Sequence, residues 1–463
     1  MESGLAARHG GRAGLCALVA ILLLGLGLRV GEARDGRAPV YDARAYAVLA
    51  GNLEGGSGFT LGPGATQPAS NYSPGLPLFV AGLYAVSGGI HPQFARIVLA
   101  LIGSLSVLFA YLIGRRLVRP PSNQPLPGEV GWRGVAPALT GALVVAFYPA
   151  LLEYQGMLMS EPLAATLLSG GVLAALWAWD SGRWRWLLAG ALFGALALAR
   201  PEYLAIAGLV ALVVFARGAR LDWQASLVRA AIFLLGLVLV VAPWTLRNAV
   251  ALDRFVPIST GGGQVLYAGT YLPSDGDPEK VGAEVVAENP DLFQSQDAQR
   301  LRLEQILARL AADRYPGMET DQALSRMGKD QLWDDVSEEP VEYAGFVATK
   351  VWRIWSHGPR DVMREPVWEV LHWLLVAFGL AGLAILAWQR RWEALLIGTI
   401  FLAITAVSAL LVASPRRVLV LVPLVASLSA IAIAWTGDRF HLLSSHRNQK
   451  GGNDGAPDSL SPS

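Results

Sequence analysis

The chain has 463 residues, 53 % of them hydrophobic and only 16 % Asp, Glu, Lys or Arg, against roughly 25 % charged residues in soluble domains. That balance excludes an ordinary soluble enzyme. The 37 basic residues, 33 Arg and four Lys, nearly cancel the 36 acidic ones to leave a net charge of +1, so no overall field recruits nucleic acid, and the one cysteine, Cys16, excludes an intramolecular disulfide or a multi-thiolate metal site.

Taken in chain order, apolar runs suited to a hydrocarbon core of about 30 Å lie at 15–30, 93–117, 134–152, 162–180, 186–199, 201–216, 229–246, 368–388, 393–413 and 418–436. They predict an all-α polytopic membrane protein with about ten transmembrane helices. Arg8 and Arg12 precede the first run, but no small-residue cleavage site follows it, so it reads as an uncleaved first span. The run at 75–89 is apolar but short. If it does not cross, the loops bearing Arg115, Arg116, Arg119 and Arg133, then Arg183 and Arg185, then Arg217, Arg220 and Arg229, then Arg390 and Arg391 all share the cytoplasmic side with the N-terminus. The positive-inside rule therefore makes 75–89 an interfacial or re-entrant helix on the outer face.

This topology divides the chain into a cytoplasmic N-terminus (1–14), a seven-span core (15–246) with a first outer loop at 31–92, an outer domain (247–365), three C-terminal spans (366–436) and a polar, disordered cytoplasmic tail (437–463). The outer domain carries 20 acidic and 13 basic residues in 119 positions, 28 % charged, which is the soluble norm. It is expected to be small and mixed in structure. Ser337, Glu338, Glu339 and Pro340 predict a helix start, and apolar spacing continues the helix to Trp355. No internal repeat supports a transporter built from duplicated halves.

Few polar residues stand at the outer ends of the spans. Asp42, in YDARAYAVLAGNL, opens an amphipathic helix expected along the membrane surface and is equally read as its N-cap. Glu161, in MLMSEP, is a lone outer acid, or a helix start with Ser160 as cap and Pro162 just inside. Arg200 interrupts two apolar runs together with Pro201 and Glu202; positive charge on the outer side is disfavoured, so a specific anionic partner explains it better than surface marking. Arg247 ends the seventh span in PWTLRN, and the turn around Gly261 and Gly262, in ISTGGGQVLYAGTY, exposes backbone N–H groups suited to anionic oxygens. Arg416 and Arg417 could hold a lipid headgroup, hold donor phosphate from the C-terminal side or only anchor the last span, and anchoring is the preferred reading. Two acids and two guanidiniums on one membrane face suit transfer from a lipid-linked phosphate.

With NYSPGLPLFVAGLY at 71–84, Ala95-Arg96, FYPALLEYQGMLMSEPL at 147–163, Arg200-Pro201 and SPRRVLVLVPLV at 414–425, these motifs resemble the multispanning, lipid-phosphosugar-dependent glycosyltransferases of the dolichyl-phosphate-mannose protein mannosyltransferase type, including the bacterial relatives that transfer aminoarabinose to lipid A. The resemblance covers residues 15–272 and, more loosely, the C-terminal spans. It implies a GT-C core with juxtamembrane helices in the first outer loop, an outer-face site, a polyprenyl-phosphate sugar donor, a lipid, glycan or protein acceptor, and inversion at the anomeric carbon. It further implies Asp42 as the base and Glu161 as the second acid, with Arg200 and Arg247 facing the donor phosphate. Such enzymes differ in whether they use a divalent metal, for which Asp42 and Glu161 are the ligands this chain offers. A glycan polymerase or ligase, a permease and a membrane scaffold are the alternatives. A permease explains the spans but not acids gathered at their ends.

Overall fold

The computed structural model describes residues 2–36, 39–62, 67–119, 132–275, 277, 279–293 and 301–453, and among them every regular element is a helix. The membrane part comprises α1 (Glu2–Asp35), α2 (Tyr41–Glu54), α3 (Gly75–Ser87), α4 (Pro92–Val118), α5 (Trp132–Phe147), α6 (Pro149–Gln155), α7 (Ser160–Ser181), α8 (Arg185–Ala199), α9 (Glu202–Ala219) and α10 (Trp223–Leu252). The segment at 247–365 adds α11 (Gly262–Thr270), α12 (Val281–Glu288), α13 (Leu303–Arg314), α14 (Thr320–Glu338) and α15 (Pro340–Ser356). The chain closes with α16 (Pro366–Trp388), α17 (Trp392–Leu410), α18 (Arg416–Leu419) and α19 (Val422–Asn453).

Seven of these helices are long and apolar enough to cross a membrane, and α5 with α6 makes an eighth if the pair, bent by 46°, is one span. The expected count of ten is not reached by length, because the runs at 186–199 and 418–436 form shorter apolar helices. The 15 residues of α8 rise only about 22 Å. Even so, α8 returns the chain along α7: Arg185 stacks on Trp177 near the end of α7, its guanidinium 3.7 Å from the ring, whereas Arg200 reaches Glu161 at the start of α7. The 13 residues of α3 rise about 20 Å and pack against α2.

The α5–α6 break falls at Phe147-Tyr148-Pro149, where proline cannot extend the helical bonding. Carbonyls released near it are taken by the buried Arg29 of α1, whose guanidinium donates to Val145 at 2.9 Å and Ala146 at 3.2 Å. In the apolar interior such a donor replaces water. Helices α8 and α10 approach backbone to backbone: a Cβ on Gly190 would lie 1.8 Å from the Phe233 carbonyl oxygen, and one on Gly236 2.2 Å from that of Leu187. Small residues allow this close crossing.

The loop arginines gather at one end of the bundle. Arg116 pairs with Asp180 at 2.7 Å, Arg217 and Arg229 stack on Trp179, and Arg391 pairs with Glu393 at 2.9 Å. The side chain of Arg133 lies outside the described residues. At the opposite end sit the starts of α7 and α9, with Glu161 and Glu202.

The segment at 247–365, expected to be mixed, differs: every regular element among its described residues is a helix. Val281, Val285, Leu307, Leu310 and Leu324 supply buried residues at helical spacing to one small core with Tyr267 and Tyr271. Ser337 belongs to the last turn of α14, its hydroxyl donating to the Asp334 carbonyl, while Pro340 is the first residue of α15. Past Asp438, where composition predicts disorder, α19 continues to Asn453; propagation from an existing helix is far cheaper than nucleation. Residues 454–463 lie outside the described residues.

Candidate active site

Five segments converge at the Glu161 end of the bundle. Asp42 lies in the first turn of α2, Glu161 in the first turn of α7, Arg200 in the α8–α9 turn, Glu202 at the start of α9, and Arg416 and Arg417 in α18. Neither Asp42 nor Ser160 caps its helix. Val40 and Met159 hold the N-cap positions without a side-chain bond, and Ser160 is already helical. The carboxylates of Asp42 and Glu161 turn instead to guanidiniums.

The Arg416 guanidinium bridges the two acids, donating through Nε to Glu161 Oε1 at 2.7 Å and through Nη1 to Asp42 Oδ2 at 3.0 Å. Arg200 bridges Glu161 to a third acid, through Nη1 to Glu161 Oε1 at 3.3 Å and through Nε to Glu202 Oε1 at 2.9 Å. Arg417 lies 4.0 Å from Glu202 and donates to the Val412 carbonyl. The result is a chain of alternating charge with three acids against three guanidiniums. Glu161 is fully buried, and its Oε2 meets no hydrogen-bond partner among the described residues; the Asp42 side chain is 40 % exposed.

Burial alone would lower the Arg416 pKa, yet Glu161 and Asp42 hold it above its ordinary value. Burial likewise opposes Arg200, and Glu202 and Glu161 overcome it. Arg417 is the exception, since burial pulls it down and the charges of Arg200 and Arg416 add to the effect against the more distant Glu202. It is the guanidinium most short of negative charge. Tyr46 of α2 feels the same cluster, its hydroxyl pushed up by burial and then by Asp42 and Glu161.

The turn bearing Arg416 and Arg417 is fastened by α11 and α15. Lys350 of α15 is fully buried and donates to the Gly269 carbonyl at 2.5 Å and the Ala409 carbonyl at 2.6 Å, at the C-terminal ends of α11 and α17. The position suits a cation electrostatically. Desolvation, followed by the nearby Arg417, nevertheless lowers its pKa to about 7. Gly269 packs directly against Leu411, and the Arg417 N–H closes a turn on Ser414 at 3.0 Å.

The expected donor-phosphate groups divide. Arg200 stands in the cluster. Arg247 does not: its guanidinium lies over Trp244 at 4.8 Å and Phe59 at 5.5 Å and donates to Asn248. Gly261, with φ +95°, and Gly262 open α11, but nearby donors are spent on protein, Thr260 N–H to Ser70 at 2.7 Å and Gly263 N–H to Asp321 at 2.8 Å. Among the described residues no hydrogen bond or ion pair links Arg247, Gly261 or Gly262 to the cluster. Arg416 and Arg417, for which the sequence favours anchoring of the last span over a phosphate or headgroup role, belong to it, as does Glu202.

Beside the cluster runs an apolar groove of 810 Å³ between α3, α4, α7 and α8. It begins at Leu163 and Leu198, each two residues from a member of the cluster, and continues past Leu167, Gly170 and Leu105 to Trp177. Along α7 that path is about 21 Å, much of the depth of a bilayer leaflet pair's hydrocarbon core.

The fold is shared with the oligosaccharyltransferase AglB of Archaeoglobus fulgidus. Its complex with an inhibitory peptide and a dolichol-phosphate superposes with TM-score 0.55 at 18 % identity, over 97 % of this chain and 52 % of that one. The chain has the GT-C fold. A structure of the same oligosaccharyltransferase with Zn and sulfate gives TM-score 0.52 at 14 % identity over 92 % and 50 % of the two chains. The protein thus spans about half the length of these GT-C relatives. ArnT of Cupriavidus metallidurans bound to undecaprenyl phosphate is a weaker likeness, with TM-score 0.37 and 14 % identity over 91 % and 77 %. No protein-family model and no curated sequence matches the chain.

The acids do not fit a divalent metal. Arg416 already occupies the space between Asp42 and Glu161, and Arg200 shares the same Glu161 oxygen. Among the described residues no group of three or more His, Cys, Asp or Glu is disposed to hold an ion.

Proposed function

We propose that the protein is a membrane glycosyltransferase that moves a sugar from a polyprenyl-phosphate donor to a hydroxyl of an envelope lipid, glycan or protein. The transfer takes place at the outer face of the plasma membrane, with inversion at the anomeric carbon. One observation carries the reading: the apolar groove begins at Leu163 and Leu198, two residues along the chain from Glu161 and Arg200 of the cluster of three guanidiniums. An occupant that satisfies both has an anionic head and a long apolar tail. The GT-C fold supports the same class, and the related oligosaccharyltransferase was captured with a dolichol-phosphate. Charges at helix ends, rather than at mid-membrane, speak against a permease. The arginine-rich opposite end, assigned to the cytoplasm by the positive-inside rule, supports an outer site and cytoplasmic termini.

In this reading the acceptor oxygen attacks the anomeric carbon as the bond from that carbon to the phosphate oxygen breaks, and the electron pair leaves with the phosphate. Arg417 and Arg200 stabilise the charge gathering there. Asp42, the exposed acid, takes the acceptor's proton, and the unpartnered Oε2 of Glu161 orients the acceptor hydroxyl.

Mass spectrometry of polyprenyl-phosphate sugars in cells lacking the protein tests the proposal. One such species should accumulate while one envelope glycoform disappears, and both changes should revert with the wild-type protein but not with Asp42→Asn. An unchanged carrier pool and unchanged glycoforms would overturn it.

A further inference from the structure

We propose that Arg416 is the resident cation of the Asp42–Glu161 pair, so that this site runs on a guanidinium and without a divalent metal; the inference rests on the transfer reading above. Two carboxylates from α2 and α7 that converge without a counter-ion would form an anionic gap suited to a metal. Here one planar fork closes it, with Nε on Glu161 Oε1 at 2.7 Å and Nη1 on Asp42 Oδ2 at 3.0 Å. A fixed fork matches two acids at a set angle, which a lysine ammonium cannot do. The guanidinium also lies over the Tyr154 ring at 5.7 Å, in reach of cation–π attraction.

What remains for a metal is too little. Glu161 keeps Oε2, and Glu202 is committed to Arg200 at 2.9 Å. Zinc takes four ligands and calcium six to eight. An arriving divalent ion would also meet three guanidiniums. The arrangement gives the cation a second use. Asp42 is the more exposed and more distant of the two partners of Arg416, so a donor phosphate competes with it for Nη1. The exchange leaves Glu161 neutralised and frees Asp42 as the arriving substrate requires.

The test is Mn²⁺ binding to the purified full-length protein in detergent, read by electron paramagnetic resonance and by melting temperature with and without EDTA. Wild type should bind no stoichiometric Mn²⁺ and melt at the same temperature in both buffers. Arg416→Ala should bind Mn²⁺ about tenfold or more tightly than wild type, since ligand charge sets such affinities, and should melt a few degrees higher with Mn²⁺ than with EDTA. The gain should vanish in Arg416→Ala/Asp42→Asn. One Mn²⁺ per wild-type chain, lost in Asp42→Asn or Glu161→Gln, would overturn the proposal, and that arm decides even if Arg416→Ala does not fold. A folded Arg416→Ala without tighter Mn²⁺ binding would overturn it as well. Because these readouts follow binding, a failure of the transferase reading would appear separately, as unchanged carrier sugars in cells.

Discussion

Arg416 and Glu161, 255 positions apart, meet at 2.7 Å where α18 faces the start of α7. This ion pair joins the C-terminal spans to the N-terminal core, and it makes the two acids of the site unlike one another. Glu161 is fully buried and carries two guanidiniums on one oxygen; Asp42 is exposed and carries one.

The acids should therefore respond differently to neutralisation. Asp42→Asn removes a proton acceptor at a site open to water, so transfer in proteoliposomes should fall about 10²–10⁴-fold with the melting temperature nearly unchanged. Glu161→Gln strands the charges of Arg200 and Arg416 in the interior, and breaking such a buried pair costs about 3–5 kcal/mol. It should lower the melting temperature sharply as well as abolish transfer. Equal thermal effects of the two substitutions would contradict the difference in burial.

Arg200→Lys tests the bridging geometry. Lysine keeps the charge but cannot donate in one plane to both Glu161 and Glu202, which Arg200 holds at 3.3 and 2.9 Å. Transfer should drop about tenfold or more, with a loss of roughly 1–3 kcal/mol in stability from the acid left short of a donor. Wild-type rate and melting temperature would show that charge alone suffices.

The sequence made the helical class and the convergence of Asp42, Glu161 and Arg200 legible, because a scarce charge at the end of an apolar run has few bland explanations. Arg416 and Arg417 were equally scarce charges at the end of an apolar run, but an arginine pair opening a span also fits simple anchoring, and only tertiary contact with α7 separates the two. Glu202 was hidden by its neighbour, since next to Arg200 it reads as a local pair. Arg247 misled for a physical reason: a guanidinium at a helix end also stacks well on aromatic rings, here Trp244 and Phe59. In the 247–365 segment the helix ending near Trp355 was legible, but the first half was not, because its short helices, such as the eight residues of α12, give too few turns for a clear period.

Filling the groove should separate lipid recognition from chemistry. Leu105 lines it and is 42 % exposed within the protein, so a larger side chain there meets little packed structure. Leu105→Trp should raise KM for a long-chain polyprenyl-phosphate donor about tenfold, leave kcat near wild type, and spare a donor with a truncated tail that does not reach down the groove. Equal inhibition with both donors would argue against the groove as the seat of the lipid chain.

Lys350 gives the fold a pH dependence whose sign can be worked out. Burial lowers its pKa from 10.5 to about 7, so between those values the unfolded chain holds the proton more tightly than the native one. Stability from this group should therefore rise as pH increases from about 7 toward 10.5 and is least below pH 7, where native Lys350 must carry its charge into the interior. As a neutral amine it still has two N–H groups, matching the carbonyls of Gly269 and Ala409. Lys350→Met removes the titration and also leaves both carbonyls without this donor, at about 1–3 kcal/mol each. Melting temperatures from pH 6.5 to 9.5 (about the range between the two pKa values) should climb in wild type relative to Lys350→Met. The variant should also be the less stable of the two at the alkaline end, and its transfer rate should suffer because the Ala409 turn leads directly to Arg416 and Arg417. A wild-type profile parallel to that of the variant would mean that Lys350 keeps an ordinary pKa in the native protein.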